Sequence, residues 1–220
     1  ITPEDGPVWA SGRVASDESV LVAWGAPPLT SRDRRTVRVR VGGEGAVEPS
    51  AWSEDTVVEA GLLASADWTA TLVQPVLPAG SGDEPAALLR REFTLDQPVV
   101  RARLYATAQG VYEAELNGSV VGDHVLAPGW TSYTHRLRYQ THDVTALLTE
   151  GANALGVHLA QGWFAGPLGF TGKRAFYGDR TGAFVQLDVQ RPDESWGRVF
   201  SGWLYKESPS LNVVEHPVYD

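Results

Sequence analysis

The sequence predicts an all-β protein, and three observations carry that expectation. Short runs of alternating apolar and polar residues recur along the chain, bounded by Gly, Pro, Asp and Asn, which is the pattern of antiparallel sheets with one solvated face. Helical periodicity is scarce. The 220 residues are 43% hydrophobic, with 8 Trp, 7 Tyr and 6 Phe, enough apolar area for one large or two ordinary β cores at about 100–200 residues per domain.

Taken in order, Thr36-Val37-Arg38-Val39-Arg40-Val41 puts Val on one face and Thr/Arg on the other, and Gly42 to Gly45 closes it as a turn. Ser19-Val20-Leu21-Val22 and Thr56-Val57-Val58-Glu59 read as its neighbouring strands. Pro78 to Pro85 is small and polar, an exposed loop within a hairpin formed by Trp68–Val73 and Leu88–Leu95. A domain boundary is expected near Gly61 to Ala66, giving domains 1–62 and 63–220.

From Arg101 the β signal is densest. Arg101 to Ala108 alternates, Gly110 breaks it, and Val111 to Leu116 runs into Asn117-Gly118. That dipeptide is the strongest short hairpin signal, because a type I′ turn needs positive φ at both central residues. Asp143 to Leu148 suggests one helical turn capped by Asp143 and ended by Gly151. Asn153–Leu159 and Gly182–Gln190 are further strands, with Trp203 in the last one. Six or more strands with long connections fit a jelly-roll β-sandwich better than an up-and-down barrel.

Composition excludes several function classes. The formal charge is −9, and the one basic stretch, Arg32 to Arg40, alternates and is interrupted by Asp33, so no nucleic acid partner is expected. Cys is absent, which removes disulfides, thiol nucleophiles and zinc–thiolate sites and leaves the compartment, cytoplasmic or secreted, unread. No stretch approaches the ~20 apolar residues of a membrane helix. The chain begins at Ile1 and contains no Met, as expected of a mature product or a piece of a longer protein.

Several motifs stand in order: Tyr105-Ala106-Thr107-Ala108-Gln109-Gly110-Val111-Tyr112, Glu113 to Gly118, Val121-Gly122-Asp123, Leu126-Ala127-Pro128-Gly129-Trp130-Thr131, Tyr139 to Thr145, Gly151 to Gly156, Gln161-Gly162-Trp163-Phe164 and Tyr177-Gly178-Asp179-Arg180. Together they resemble the jelly-roll accessory domain of bacterial α-L-rhamnosidases. Upstream, Trp9 to Val14, Val37 to Val41 and Ser50 to Glu54 resemble the fibronectin type III-like β-sandwich that precedes that jelly roll, here partial because its first strands would fall before residue 1. The resemblance implies a parent enzyme that hydrolyses terminal α-L-rhamnosides. It also implies that the catalytic (α/α)6 domain, a partner in the same protein, lies downstream of Asp220, so no catalytic residue is assigned here.

Sugars offer an apolar face to aromatic rings and vicinal hydroxyls to carboxylates, amides or calcium. The loop residues of that chemistry are Asp123 and His124 after the hairpin, Trp130, Trp163, and Tyr177 with Asp179, the expected binding set for a rhamnose-containing carbohydrate. Each has an ordinary structural reading beside it: a packed indole for Trp130 and Trp163, a turn acid beside a packed ring for Asp179 and Tyr177. In rhamnose-binding members of the resembled family an acid and a neighbouring amide hold calcium near the sugar. Asp123 matches the acid, but His124 stands where the amide would be. The other histidines show no metal-ligand spacing, and His158, in an apolar strand, reads as structural.

Overall fold

The computed structural model describes residues 2–3, 8–43, 45, 48–75, 85–199, 203–207 and 213–216. The chain divides into two compact units, Ile1–Trp68 and Thr69–Asp220.

The first unit holds one antiparallel sheet in the order β1 (Thr2–Pro3), β2 (Arg34–Val37), β3 (Thr56–Glu59). Strand β2 is shorter than its alternation suggests. Beyond Val37 the strand ends, and serines take over the pairing: Ser53 N–H donates to the Val39 carbonyl and Ser50 N–H to the Val41 carbonyl, both at 2.8 Å, while their hydroxyls accept the Val39 and Val41 N–H groups at 3.0 and 3.1 Å. The expected strand Ser19–Val22 does not form: Val20 and Val22 are exposed, and Leu21 takes φ 56°. Asp67 ties the unit's last turn to the Ser31 hydroxyl at 2.5 Å and to the Ala64 N–H at 3.0 Å. Those two bonds, with Arg32 adding to them against the effect of burial, hold its carboxyl below the usual range.

The second unit is a two-sheet sandwich. One sheet is ordered β11-β10-β5-β8 and the other β13-β12-β4-β9-β6-β7. Their strands are β4 (Ala87–Leu95), β5 (Arg101–Gln109), β6 (Val111–Leu116), β7 (Ser119–Val120), β8 (Gln140–Asp143), β9 (Gly151–Ala160), β10 (Gly182–Gln190), β11 (Trp196–Arg198), β12 (Trp203–Glu207) and β13 (Val213–His216). Every pairing is antiparallel. Alternation along each strand sends one face inward: Leu89 and Phe93 from β4, Leu104 from β5, Leu116 from β6, Leu155, Val157 and Leu159 from β9, Val185 and Leu187 from β10. Each such Leu, Val or Phe contributes about 1.5–3 kcal/mol by leaving water.

Strand β5 is buried on both faces. Over the adjoining face of β10, the Gln186 side-chain oxygen accepts the Thr69 and Ala70 N–H groups at 2.9 and 3.2 Å, so the 69–73 segment lies across the sheet. That segment was expected to pair with the strand over Leu88–Leu95. Instead only Val73 bridges, to Ala183, and β4 pairs with β9 and β12. Most of the loop between, residues 76–84, lies outside the described residues.

The hairpin forms as its sequence predicts, with Asn117 at φ 53° and Gly118 at φ 82°. The helical turn is a 3-10 turn at Thr145–Leu147; Asp143 accepts the Thr145 N–H at 3.1 Å, but Leu148 closes the turn and Gly151 opens β9. Trp203 is followed by one more strand, β13. His158 points outward from β9, half-exposed and 3.9 Å from Glu115, in the alternate, solvent-facing register of that strand.

Candidate functional site

Two long connections meet at one end of the sandwich: residues 121–139 between β7 and β8, and residues 161–181 between β9 and β10. The end is fixed by Gly110, where β5 crosses into β6. Its φ is +140°, and a Cβ there would stand 2.3 Å from the Ala160 carbonyl oxygen, so only glycine turns this corner. Tyr112, just beyond it, bridges Ala127 and draws the first connection to the same end.

Here Trp130 and Trp163 lie face to face, ring centroids 6.2 Å apart and planes 5° from parallel. The Trp130 indole N–H donates to the Tyr177 hydroxyl at 3.2 Å. Tyr133 packs against both Tyr177 (5.0 Å) and the edge of Phe164 (5.2 Å). The base is built from local chain geometry. Trp163 and Phe164 sit on the short helix α1 (Gly162–Ala165), and the Ala175 N–H donates to the Ala165 carbonyl at 3.2 Å, folding the second connection back over it. Gly178 lies flat on the buried Phe164, where a Cβ would meet the ring at 2.5 Å.

Burial, with the Tyr177 hydroxyl adding to it, pushes the Tyr133 hydroxyl up and keeps it neutral. Trp130 is 54% exposed, against its alternative reading as a packed indole; Trp163 and Tyr177 are half-buried beside it. The group is an exposed ring carried on a fixed aromatic base, able to stack on an apolar sugar face.

Of the residues expected from sequence, the structure thus brings together Trp130, Trp163 and Tyr177. Asp179 is exposed two residues beyond Tyr177, and among the described residues no hydrogen bond or ion pair holds it. Asp123 and His124 form a separate group. Their side chains are 3.6 Å apart, Asp123 fully in solvent, and His124 stands edge-on to the buried ring of His142 at 5.7 Å. Burial first, and His124 second, lower the His142 imidazole against the opposing pull of Asp123. Calcium takes about 6–8 oxygen ligands; the side chains gathered at Asp123 are imidazoles, and among the described residues no three acids or histidines cluster to hold a metal. This group does not fit calcium.

Sequence reasoning missed Tyr133, Phe164 and His142. Tyr133 and Phe164 follow closely on Trp130 and Trp163, so aromatic density in loops was the available signal; nothing local marks His142. A shallow depression of about 420 Å³ opens elsewhere, beside Asn117 at the opposite end of β6, lined by Glu92, Thr94 and Ala154. Its Arg90 and Glu92 pair with each other at 2.7 Å.

Comparison with known proteins places this architecture. The α-L-rhamnosidase N-terminal domain family matches residues 97–220, and the Rha78A-like N-terminal immunoglobulin domain matches residues 2–64. An α-L-rhamnosidase of Streptomyces avermitilis is 42% identical over 77% of this chain and 17% of its own length. One from Formosa agariphila is 32% identical over the whole chain and 24% of its own length. Among solved structures, the native α-L-rhamnosidase of Aspergillus terreus aligns with TM-score 0.83 and 41% identity over 93% of this chain and 24% of that one. The Streptomyces avermitilis enzyme complexed with L-rhamnose aligns with TM-score 0.82 and 25% identity over 92% of this chain and 36% of that one. This chain spans about a quarter or less of the curated relatives it matches. From its immunoglobulin-like sheet to its jelly-roll sandwich, the chain belongs to the α-L-rhamnosidase family and carries that family's N-terminal region.

Proposed function

We propose that this region is a non-catalytic accessory part of an enzyme hydrolysing terminal α-L-rhamnosides, and that its loop end binds rhamnose-containing carbohydrate. The observation that carries the reading is the exposed Trp130 ring, stacked on Trp163 and held through its N–H by the Tyr177 hydroxyl. A large aromatic ring held in that way yet largely in solvent loses little freedom on stacking against a sugar. Tyr177 and Asp179 supply a hydroxyl and a carboxylate beside it for sugar hydroxyls. Asp123 and His124 contribute a second polar group on the same connection. The domain division is proposed at residues 62–63.

Isothermal titration of the 220-residue chain with L-rhamnose tests the reading. Saturable heat lost in Trp130→Ala supports it; no heat at millimolar sugar sinks it. Parallel titrations with calcium and with chelator should agree, since the Asp123 group does not fit the ion.

A second reading, a scaffold packing against the downstream catalytic domain, is favoured by one observation. Phe170 is fully exposed at the tip of the Leu168–Lys173 bridge, and Val125 and Leu126 are exposed on the other connection. Protection of Phe170 from solvent in the full-length enzyme, with no sugar binding, would select it.

A further inference from the structure

The connections that build the aromatic group differ in charge from the rest of the chain. Residues 121–139 and 161–181 carry Arg136, Arg138, Lys173, Arg174 and Arg180 against only Asp123 and Asp179, in a chain of formal charge −9. Along the chain the cations lie within a few residues of the rings. Arg136 closes the turn that begins at Ser132 and contains Tyr133, its N–H donating to the Ser132 carbonyl at 2.9 Å. Arg174 donates to the Gln161 side-chain oxygen at 2.9 Å, directly before the helix bearing Trp163. Arg180 follows Tyr177, Gly178 and Asp179.

Four of these five cations are also without a neutralising acid. Arg35, Arg38, Arg90 and Arg103 each lie within 3.3 Å of a carboxylate. Among the described residues, Arg136, Arg138, Lys173 and Arg180 have no carboxylate at ion-pair distance. A chain with excess negative charge repels anions at long range, so a local reversal beside a stacking ring is what an anionic ligand would need. Guanidinium groups donate paired N–H groups to two oxygens of a carboxylate or of a sulfate ester, and their charge acts over a screening length of about 8 Å at physiological salt.

We infer that the Trp130 shelf is selective for acidic glycans, in which the sugar on the ring lies beside a carboxylate or sulfate group that Arg136 and Arg180 receive. This rests on the carbohydrate-binding reading above and names its ligand class.

The test compares three probes on the 220-residue chain: L-rhamnose, a uronate-bearing rhamnose disaccharide, and a sulfate-ester rhamnose, each at low and at high sodium chloride. At low salt at least one acidic probe should bind about tenfold tighter than rhamnose, the gap closing at high salt. Preference for the uronate or for the sulfate identifies the source of the anion. In Arg136→Gln/Arg180→Gln the preference should vanish while rhamnose binding remains; both residues are exposed, so the fold is unaffected. Equal affinity for neutral and acidic probes at every salt overturns the inference and leaves sugar binding intact. Silence with all three overturns both.

Discussion

Gly122 lies flat against the imidazole of His142. A Cβ on Gly122 would stand 2.6 Å from the ring's Cε1 and Nδ1, and the residue holds φ +76°. Two costs therefore fall on any side chain at this position, a left-handed backbone and a collision. Gly122→Ala is expected to destabilise the second unit by about 2–3 kcal/mol, of which ~1 kcal/mol is backbone. Adding His142→Ala should relieve only the collision. A urea double-mutant cycle reads this as a coupling of at least ~1 kcal/mol; strictly additive costs would refute the contact.

The same histidine predicts a pH dependence. His142 sits on β8 opposite Leu104, and its burial, reinforced by His124 and only partly offset by Asp123, holds its imidazole below the usual histidine range. The unfolded chain therefore takes up this proton at higher pH than the fold does, so stability is full above pH ~6.5 and falls as pH drops below it. The loss levels off once pH has passed the folded pKa. Denaturant midpoints from pH 7.5 to 5.0 should fall in the native chain and flatten in His142→Gln. A midpoint rising toward acid would reverse the sign.

The local elements were legible in the sequence. Asn117-Gly118 dictates its own turn, and β5, β6, β9 and β10 follow period-two alternation that any neighbouring strand would respect. What was not legible depended on partners. Ser19–Val22 has strand-like residues but acquires no pairing, and its valines stay exposed. Thr69–Val73, within the run expected to be a strand, becomes a cover over Gln186, whose buried amide accepts the Thr69 and Ala70 N–H groups. Trp130 and Trp163 stack only because Gly110 and the Tyr112–Ala127 bridge bring two distant connections to one end. Neither indole's own neighbours encode that meeting, so a stacking ring and a packed indole both stood open for each, and the exposure of Trp130 speaks against packing there.

At the opposite end, one buried amide closes the sandwich. Asn153 donates to the Thr149 and Gly151 carbonyls at 2.7 and 2.9 Å, and its oxygen accepts the Thr149 N–H at 3.0 Å and the Asn117 amide at 2.8 Å. Asn117 in turn accepts the Ala154 N–H at 2.8 Å, so the hairpin and the start of β9 share one network. Asn153→Ala takes this partner from the Thr149 and Gly151 carbonyls, the Thr149 N–H and the Asn117 amide, a loss of about 1–3 kcal/mol. Asn153→Asp keeps the shape and the acceptor but loses both donors, and should cost as much. Thermal melts check both; an aspartate variant as stable as wild type would show that the donors do not matter.

The aromatic group should separate stability from binding. Phe164 is 5% exposed and packs against Tyr133 and Gly178, whereas Trp130 is 54% exposed and rests on rings that remain in place without it. Truncating a buried phenyl costs about 3–5 kcal/mol, while an exposed ring contributes mainly its stacking, ~1 kcal/mol. Phe164→Ala should therefore lower the denaturant midpoint markedly, and Trp130→Ala should leave it nearly unchanged while abolishing sugar-induced quenching of tryptophan fluorescence. Gly178→Ala forms the control between them: its added methyl meets the Phe164 ring at 2.5 Å and should displace the Tyr177 turn, weakening sugar binding more than stability. A Trp130→Ala protein as unstable as Phe164→Ala would mean that the indole holds the loop end together and is not free to receive a ligand.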